Sequence, residues 1–166
     1  MSVKTVFASM DNYTKGNVQI IGEENAENYL LSNMFEVAAS SSPWERVIVA
    51  RNLEFTVEVI RSEGDSPWYV CAHDETLLVM QGAVDIVFVD PDDSSVVPAE
   101  DHEGSVRLDA EPDGKAMGRV KAGRGHLTLL PAGAAYQVQA RENGVLLLQT
   151  VDGDESIEKW KEICQQ

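Results

Sequence analysis

Short runs in which apolar and polar residues alternate dominate the chain from about residue 46 onward. A period of two places every second side chain on the same face, which is typical of a β-strand with one buried face. Examples are RVIVARN, EFTVEVIRS, TLLVMQG, AVDIVFVD, HLTLLPAG and VLLLQTVDG. Turn-forming residues separate these runs, as in Gln81-Gly82, Pro131-Ala132-Gly133 and Asn143-Gly144. About nine short strands with no helix between them favour an all-β antiparallel barrel or sandwich.

Helical patterns are confined to the two ends of the chain. The stretch NAENYLLSNMF, residues 25–35, places Tyr29, Leu30 and Met34 on one face and predicts a short helix. The stretch DGDESIEKWKEICQQ begins with acidic residues, which favour a helix N-terminus. It predicts a C-terminal helix that packs on the barrel wall or, alternatively, faces a partner. The apolar stripe of that second helix consists of Ile157, Trp160 and Cys164.

The segment 90–114 differs from the rest of the barrel in composition. It contains nine acidic residues, three prolines and a single base, Arg107. Such a segment is too polar for a core, so we expect an inserted excursion with a small hairpin, either solvated or docking a partner. The prediction is one domain over 1–166, divided into an N-terminal arm 1–40 with its short helix, a barrel 41–151 that includes this excursion, and a C-terminal helix 152–166.

Composition narrows the classes of function. Thirteen basic and 28 acidic residues give a net charge of −15 over 166 residues, which would repel a nucleic-acid backbone or an anionic membrane. No apolar run reaches the roughly 18 residues of a membrane-spanning helix, and no secretory signal is visible. The two cysteines, Cys71 and Cys164, lie far apart and without CxxC spacing. These features predict a soluble protein of the reducing cytoplasm.

Two half-motifs of glycine, proline and glutamate point to a specific barrel family. Gly125, Pro131 and Gly133 form the framework G-x5-P-x-G, and Glu75 with Gly82 forms E-x6-G. Tight inter-strand turns need the positive φ that glycine allows and the fixed φ of proline. In this order, with a strand-rich segment between them, the two resemble the motifs of the cupin superfamily, which are small jelly-roll β-barrels.

The histidine ligands of metal-binding cupins are missing from these motifs. In that superfamily the first motif reads H-x-H-x3-4-E and the second continues P-x-G-x2-H. Only Glu75 matches a ligand position, whereas Fe(II) sites typically use two imidazoles and a carboxylate. The resemblance therefore implies no catalytic residue and no metal ligand set in this chain. The positions where histidines would stand hold Trp68 and Val70, or Tyr69 and Cys71, and in the second motif Tyr136.

His73 leaves two interpretations open. On one continuous strand, His73 and Glu75 would share a face and could form an autonomous metal site. In the cupin register, however, His73 and Asp74 fall in or beside a turn, where the carboxylate would orient the imidazole. Glu75 itself is either a relic or a hydrogen-bond partner of Tyr136 across an emptied pocket.

The pair SPWE and SPWY, residues 42–45 and 66–69, repeats an exposed-looking turn with a tryptophan. The two indoles either cover the barrel mouth or anchor a partner or an aromatic ligand. The residues that we expect to line a pocket or an interface are Trp44, Trp68, His73 and Tyr136.

Over roughly residues 40–162, the strings SPWERVIVARNLEFTVEVIRSEGDSPWYVCAHDETLLVMQGAVDIVF, MGRVKAGRGHLTLLPAGAAYQ and GVLLLQTVDGDESIEKW resemble the small subunit of the two-subunit hydroquinone 1,2-dioxygenases. The resemblance implies that the complex uses O2 to cleave hydroquinone to 4-hydroxymuconic semialdehyde during breakdown of 4-nitrophenol or 4-hydroxyacetophenone. It also implies Fe(II) on a larger cupin-type subunit, none bound by this chain, and a heteromer, expected to be a heterotetramer. The alternative is a stand-alone metal-free cupin that binds a small molecule in an apolar cavity near Tyr136.

Overall fold

The computed structural model describes residues 8–16, 18–20, 29–31 and 33–159. These residues form mostly short β-strands. The strands are β1 Val18–Ile20, β2 Tyr29–Leu31, β3 Arg46–Asn52, β4 Phe55–Ser62, β5 Asp65–Cys71, β6 Glu75–Gln81, β7 Ala83–Pro91, β8 Ser105–Leu108, β9 Gly114–Gly123, β10 Leu127–Leu130, β11 Ala135–Ala140, β12 Gly144–Val151 and β13 Ser156–Ile157. A helix α1, Met34–Ala39, and a 3₁₀ turn, Ser94–Val96, complete the described elements. None of the described helices is long and apolar enough to cross a membrane.

Two sheets build the barrel. One has eight strands in the order β1-β2-β3-β4-β12-β6-β10, with β13 added beside β3. The other has five strands in the order β8-β5-β11-β7-β9. Every strand pair is antiparallel except β13 with β3. The all-β antiparallel architecture predicted from the alternation is confirmed, and so is the cupin-type jelly roll that the resemblance of the two half-motifs implies.

The alternation along β12 shows how the sequence builds the layers. Leu146 and Leu148 point into the main core between the sheets, together with Ile60 of β4. Val145, one residue away, points to the other face and joins the cluster around α1. Successive side chains on a strand leave opposite faces, so one strand serves both clusters. The helix therefore covers the side of the eight-stranded sheet that faces away from the barrel interior.

The glycines of the two half-motifs adopt the backbone conformations that the sequence predicts. Gly82 has φ of 83° and Gly133 has φ of 77°, both in the left-handed region. A Cβ on Gly82 would also lie 3.0 Å from the Cα of Gly144, so the turn between β6 and β7 leaves no room for a side chain. The Gly133 amide donates to the Cys71 carbonyl at 2.8 Å, which ties the second motif to the end of β5.

The N-terminal helix lies later in the chain than predicted. Tyr29 and Leu30 belong to β2, which pairs with β3, and the helix begins only at Met34. Asn33 sets this start because its side-chain oxygen accepts the Phe35 amide at 3.0 Å, as an N-cap does. Pairing with a neighbouring strand thus outweighs the apolar spacing of the stretch. The remaining predicted helix positions before residue 29 lie outside the described residues.

The predicted C-terminal helix is wrong for the residues that the structure describes. Ser156 and Ile157 form β13, which pairs in parallel with Arg46 and Val47 of β3. The Ser156 hydroxyl also donates to the buried Glu58 carboxylate. These long-range partners hold the segment extended, although its apolar spacing suits a helix. The other two stripe residues, Trp160 and Cys164, lie outside the described part of the chain.

The acidic excursion is solvated, as its composition predicts, but it does not form a hairpin of its own. Most of its carboxylates are exposed, but β8 inside it pairs with β5 and extends the five-stranded sheet. Val106 and Leu108 of β8 pack against the buried cluster that contains Trp68. The excursion was predicted from its overall charge, but this contact depends on a few apolar residues within it.

Candidate functional site

A buried polar cluster occupies the barrel where the cupin motifs converge. Glu75, the first residue of β6, is fully buried, and its Oε2 accepts a hydrogen bond from the Tyr136 hydroxyl at 2.7 Å. The two motif positions thus bond directly to one another, as one of the two interpretations of Glu75 anticipates. The Tyr136 ring also packs on that of Tyr69, with 5.9 Å between centroids.

Arg46 supplies the positive charge of this cluster. It lies at the start of β3 and is 3% exposed. Its Nε donates to Glu58 Oε2 at 2.7 Å, its Nη2 to Glu75 Oε1 at 3.3 Å and its Nη1 to the Ser105 hydroxyl. The guanidinium carbon also lies 5.6 Å from the centre of the Tyr69 ring. One buried cation therefore bridges two fully buried carboxylates from different strands.

Burial and the mutual charges set the protonation of this cluster. Burial opposes the charge of Arg46, but the carboxylates of Glu58 and Glu75 outweigh it and raise the pKa of the guanidinium overall. Burial raises the pKa of Glu58 in spite of the nearby Arg46. Burial and the charge on Glu75 hold the pKa of the Tyr136 hydroxyl well above its usual range. Tyr136 is therefore a neutral phenol that keeps its proton and donates a hydrogen bond to Glu75.

The structure also brings Cys71, His73 and Glu75 together. Their potential ligand atoms all lie within 4.8 Å of one another. His73 belongs to the short turn between β5 and β6, as the cupin register predicts, yet its ring turns back toward Cys71 rather than into solvent. The sequence indicates this group, because Cys71, His73 and Glu75 stand at alternate positions along the chain.

Each potential metal ligand of that group already has partners within the protein. Both Glu75 oxygens accept hydrogen bonds, from Arg46 and Tyr136. Burial and the nearby Glu75 charge raise the pKa of the Cys71 thiol from its ordinary 9.0 to about 11, which keeps it protonated near neutral pH. The His73 Nε2 accepts the Val151 amide at 3.4 Å, and its Nδ1 lies 3.3 Å from the Cys71 sulfur.

Asp74 does not orient the imidazole, contrary to the expectation from sequence. Its Oδ1 accepts the backbone amide of Ala132 at 2.8 Å, which joins the turn before β6 to the turn of the second motif. The imidazole of His73 is instead held by Cys71 and by the Thr150 hydroxyl, 3.2 Å from Nε2. Asp74 does not reach the imidazole because the side chains of adjacent residues in a tight turn project in different directions.

The two tryptophans have different positions. Trp44 lies in a turn with φ of 65°, packs on the main core and donates its indole N–H to the Glu63 carbonyl at 2.9 Å. Trp68 is only 7% exposed and lies within β5, not in a turn. The expectation that both residues cover the barrel mouth or anchor a partner is thus wrong for Trp68, because β8 covers it. Trp44 remains beside the mouth.

The space beside Tyr136 is small. Apolar side chains of Ile60, Leu77, Leu146 and Leu148 close around it, with Trp44 at one end. The cavity measures about 20 Å³. A single water molecule needs roughly 10–15 Å³ by this measure, so this cavity has no room for an aromatic ring.

Arg46 and Glu58 are the members of the cluster that sequence reasoning missed. Each lies in an alternating apolar strand, and Glu58 stands between Val57 and Val59 at a fully buried position. A charged residue inside such a run is a usable signal, since buried charges are almost always paired. The identity of its partner depends on strand register, which the motifs do not specify.

Comparison with known proteins adds the following. No protein-family model and no curated protein matches the chain. A crystal structure of hydroquinone 1,2-dioxygenase PnpCD in complex with Cd²⁺ and 4-hydroxybenzonitrile contains a chain that is 48% identical, with 99% of this chain and 98% of that chain covered and a TM-score of 0.83. The hydroquinone 1,2-dioxygenase from Sphingomonas sp. TTNP3 with 4-hydroxybenzoate bound contains another, 42% identical, with 99% of both chains covered and a TM-score of 0.85.

A longer chain of such enzymes shares the fold. In PnpCD in complex with Fe³⁺, 79% of this chain matches 35% of a longer chain, at 13% identity and a TM-score of 0.55. PnpCD thus has two kinds of subunit, both containing a cupin fold, and the present chain matches the shorter one over its full length. The chain belongs to the family of cupin-type small subunits of the two-subunit hydroquinone 1,2-dioxygenases.

Proposed function

We propose that this chain is the non-catalytic small subunit of an Fe(II)-dependent hydroquinone 1,2-dioxygenase. The complex would cleave hydroquinone with O2 to 4-hydroxymuconic semialdehyde, in the cytoplasmic breakdown of 4-nitrophenol or 4-hydroxyacetophenone. A larger cupin-type subunit would hold the iron, in a heterotetramer. The family relationship supports the reaction, and the buried cluster of this chain supports the division of labour.

The single observation that carries the non-catalytic role is the position of the Arg46 guanidinium. It bonds to Glu75, the one residue that matches a cupin ligand position, and to Glu58 beside it. A fixed organic cation there neutralises the carboxylates that a divalent metal would otherwise need. Its charge would also repel an incoming metal ion. We therefore assign this chain no metal and derive no step of the reaction from its residues.

One observation favours a competing function, an autonomous metal site. Cys71, His73 and Glu75 lie close enough to share an ion. Against this, both Glu75 oxygens are engaged, one by Arg46 and the other by Tyr136. The set also has one imidazole where Fe(II) sites use two. The other alternative, a stand-alone cupin with a small-molecule ligand near Tyr136, is disfavoured by the cavity of about 20 Å³.

The replacement His73→Ala distinguishes these functions. The ring is half-buried and its contacts are few, so the variant should fold. In the complex with the larger subunit, we expect His73→Ala to leave the iron content and the rate of hydroquinone cleavage within about twofold of the wild type. His102→Ala, a half-buried histidine in the acidic excursion, is the matched control. Loss of nearly all the iron from His73→Ala alone would refute the non-catalytic assignment.

A further inference from the structure

The outer edges of β9 and β10 form an unusual surface. β9 ends the five-stranded sheet and β10 ends the eight-stranded sheet, so each has a neighbour on one side only among the described strands. Eight consecutive residues of β9, from Gly114 to Lys121, are exposed. An edge strand of this length presents a row of free backbone donors and acceptors, which invites pairing unless something covers it.

Apolar side chains concentrate at these two edges. Leu127 and Leu129 of β10 are 66% and 57% exposed, because they alternate with the buried Thr128 and Leu130. Across the gap, Met117 and Val120 of β9 are 53% and 38% exposed. A shallow cleft of about 380 Å³ joins Met117, Val120 and Leu129. We call Met117, Val120, Leu127 and Leu129 the β9–β10 edge.

The segment that forms the β9–β10 edge is basic in an otherwise acidic chain, although β7 places Asp90 and Asp85 opposite Lys115 and Lys121 in register. From Gly114 to Arg141 the sequence has no acidic residue, although the whole chain carries −15. Lys115 and Lys121 of β9 are exposed, and neither forms an ion pair with a described residue. The five basic residues of this segment are Lys115, Arg119, Lys121, Arg124 and Arg141. A partner that fits this surface must combine apolar contacts with acidic side chains.

The same charges argue against a second copy of this chain as the occupant. Edge-to-edge pairing of two copies would bring the Lys115 and Lys121 side chains of both against one another, and like charges across an interface cost binding energy. Met117 adds a second obstacle, because it lies at a bulge where the pairing of β9 with β7 shifts between Phe88 and Val89. Bulges and lysines are devices by which natural edge strands avoid self-pairing. The surface therefore suits a different chain.

We propose that the β9–β10 edge is the surface on which the cupin domain of the larger subunit docks, through an apolar patch ringed by carboxylates. This inference rests on the proposed function, which supplies the partner. Four exposed apolar side chains would form the centre of the contact, and the lysines of β9 its rim. The rim charges would speed association and make it sensitive to salt.

The test measures the affinity between this chain and the larger cupin-type subunit that the proposed function assigns as its partner. Leu127→Asp with Leu129→Asp should weaken binding at least tenfold, an order of magnitude typical of interface centres. Leu53→Asp with Phe55→Asp is the matched control, since both side chains are 59% exposed, but Leu53 lies in the β3–β4 turn and Phe55 begins β4, away from the β9–β10 edge. Melting temperature and far-UV circular dichroism verify that both double variants are folded.

A charge-reversed variant tests the rim independently. Lys115→Glu with Lys121→Glu should slow association several-fold at low salt, and the difference from wild type should shrink at high salt. Wild-type binding together with unchanged binding of the leucine variant would overturn the surface assignment and leave the proposed function intact. Failure of the wild-type chain itself to bind would overturn the proposed function as well. An effect of the leucine variant on self-association alone would show that the occupant is a second copy and refute the proposal.

Discussion

The buried centre around Arg46 and the exposed β9–β10 edge differ in their interactions. The charged groups of the centre are paired within the chain, whereas the apolar side chains of the edge are exposed to solvent. In the centre, a cation meets Glu58 and Glu75, and Tyr136 donates to the same Glu75. At the edge, leucines face solvent beside lysines that have no described ion-pair partner. At the position that matches the cupin metal motif, Glu75 is therefore bonded within the protein, whereas the apolar side chains of the β9–β10 edge are exposed. A paired interior together with an exposed apolar edge is expected of a subunit that binds a partner through its surface.

The largest expected effect comes from removing the central cation. Arg46→Met leaves two fully buried carboxylates without their cation, and losses on breaking buried ion pairs are about 3–5 kcal/mol of unfolding free energy. Urea unfolding measures the loss. Arg61→Met is the control, because its ion pair with Glu63 is partly exposed and should contribute under about 1 kcal/mol. Equal losses from both variants would contradict the account of the centre.

The loss in Arg46→Met should also depend on pH. Burial raises the pKa of Glu58 above its unfolded value, and Arg46 opposes that rise. Without the guanidinium the folded-state pKa rises further, so the stability of the variant is greatest below the unfolded pKa of 4.5 and falls as the pH increases. We expect a smaller difference from wild type at pH 5 than at pH 8. A constant difference would mean that the carboxylate charge is not what Arg46 offsets.

The second largest loss of unfolding free energy is expected from removing the Tyr136 hydroxyl. Tyr136→Phe removes the 2.7 Å hydrogen bond to Glu75 and keeps the ring contact with Tyr69. Hydrogen bonds to charged groups contribute about 1.5–3 kcal/mol, and we expect a loss in that range by urea unfolding. Tyr69→Phe is the control, because it preserves the ring pair and leaves Glu75 bonded. If Tyr69→Phe costs as much as Tyr136→Phe, ring packing rather than the bond to Glu75 stabilises the centre.

The Cys71 thiol should have a smaller effect on the unfolding free energy, and only at alkaline pH. The pKa of Cys71 is about 11 in the folded protein, against an ordinary 9.0. The unfolded chain therefore loses this proton first, and stability falls as the pH rises from 9 to 11, by up to about 2 kcal/mol. Cys71→Ala should reduce the slope of unfolding free energy against pH in that window, whatever its effect on overall stability. An unchanged slope would assign the alkaline loss to other groups.

The smallest expected effect on folding lies at the edge. Leu127→Asp with Leu129→Asp should change the unfolding free energy of the isolated small subunit by no more than about 0.5 kcal/mol, since both side chains are exposed. Differential scanning calorimetry of the free chain verifies this. A loss comparable to that of Arg46→Met would show that these leucines belong to the fold, and would remove the contrast between the two regions.

The strands and motif turns could be predicted from sequence because their signals are local. A strict alternation such as that of β10, or a glycine that must take a positive φ such as Gly82, depends on few neighbours. The ends of the chain could not be predicted in the same way. Ile157 fits a helical stripe, but its parallel pairing with Val47 depends on a residue 110 positions away.

The candidate site was predictable only in part for the same reason. The motif spacing identified Glu75 and Tyr136, which bond to one another. It did not identify Arg46, because the register that brings β3 beside β4 determines which carboxylates the guanidinium reaches. It also gave His73 the wrong partner, since the imidazole contacts Cys71 and Thr150 rather than the adjacent Asp74.

The most direct test of the central claim is the metal content of the small subunit after anaerobic incubation with Fe(II), measured for wild type and for Arg46→Met in parallel. The account predicts substoichiometric iron in the wild-type chain, because the guanidinium already neutralises Glu58 and Glu75. It predicts measurably more iron in Arg46→Met at a pH where the variant is folded. Stoichiometric iron in the wild-type chain would contradict the account.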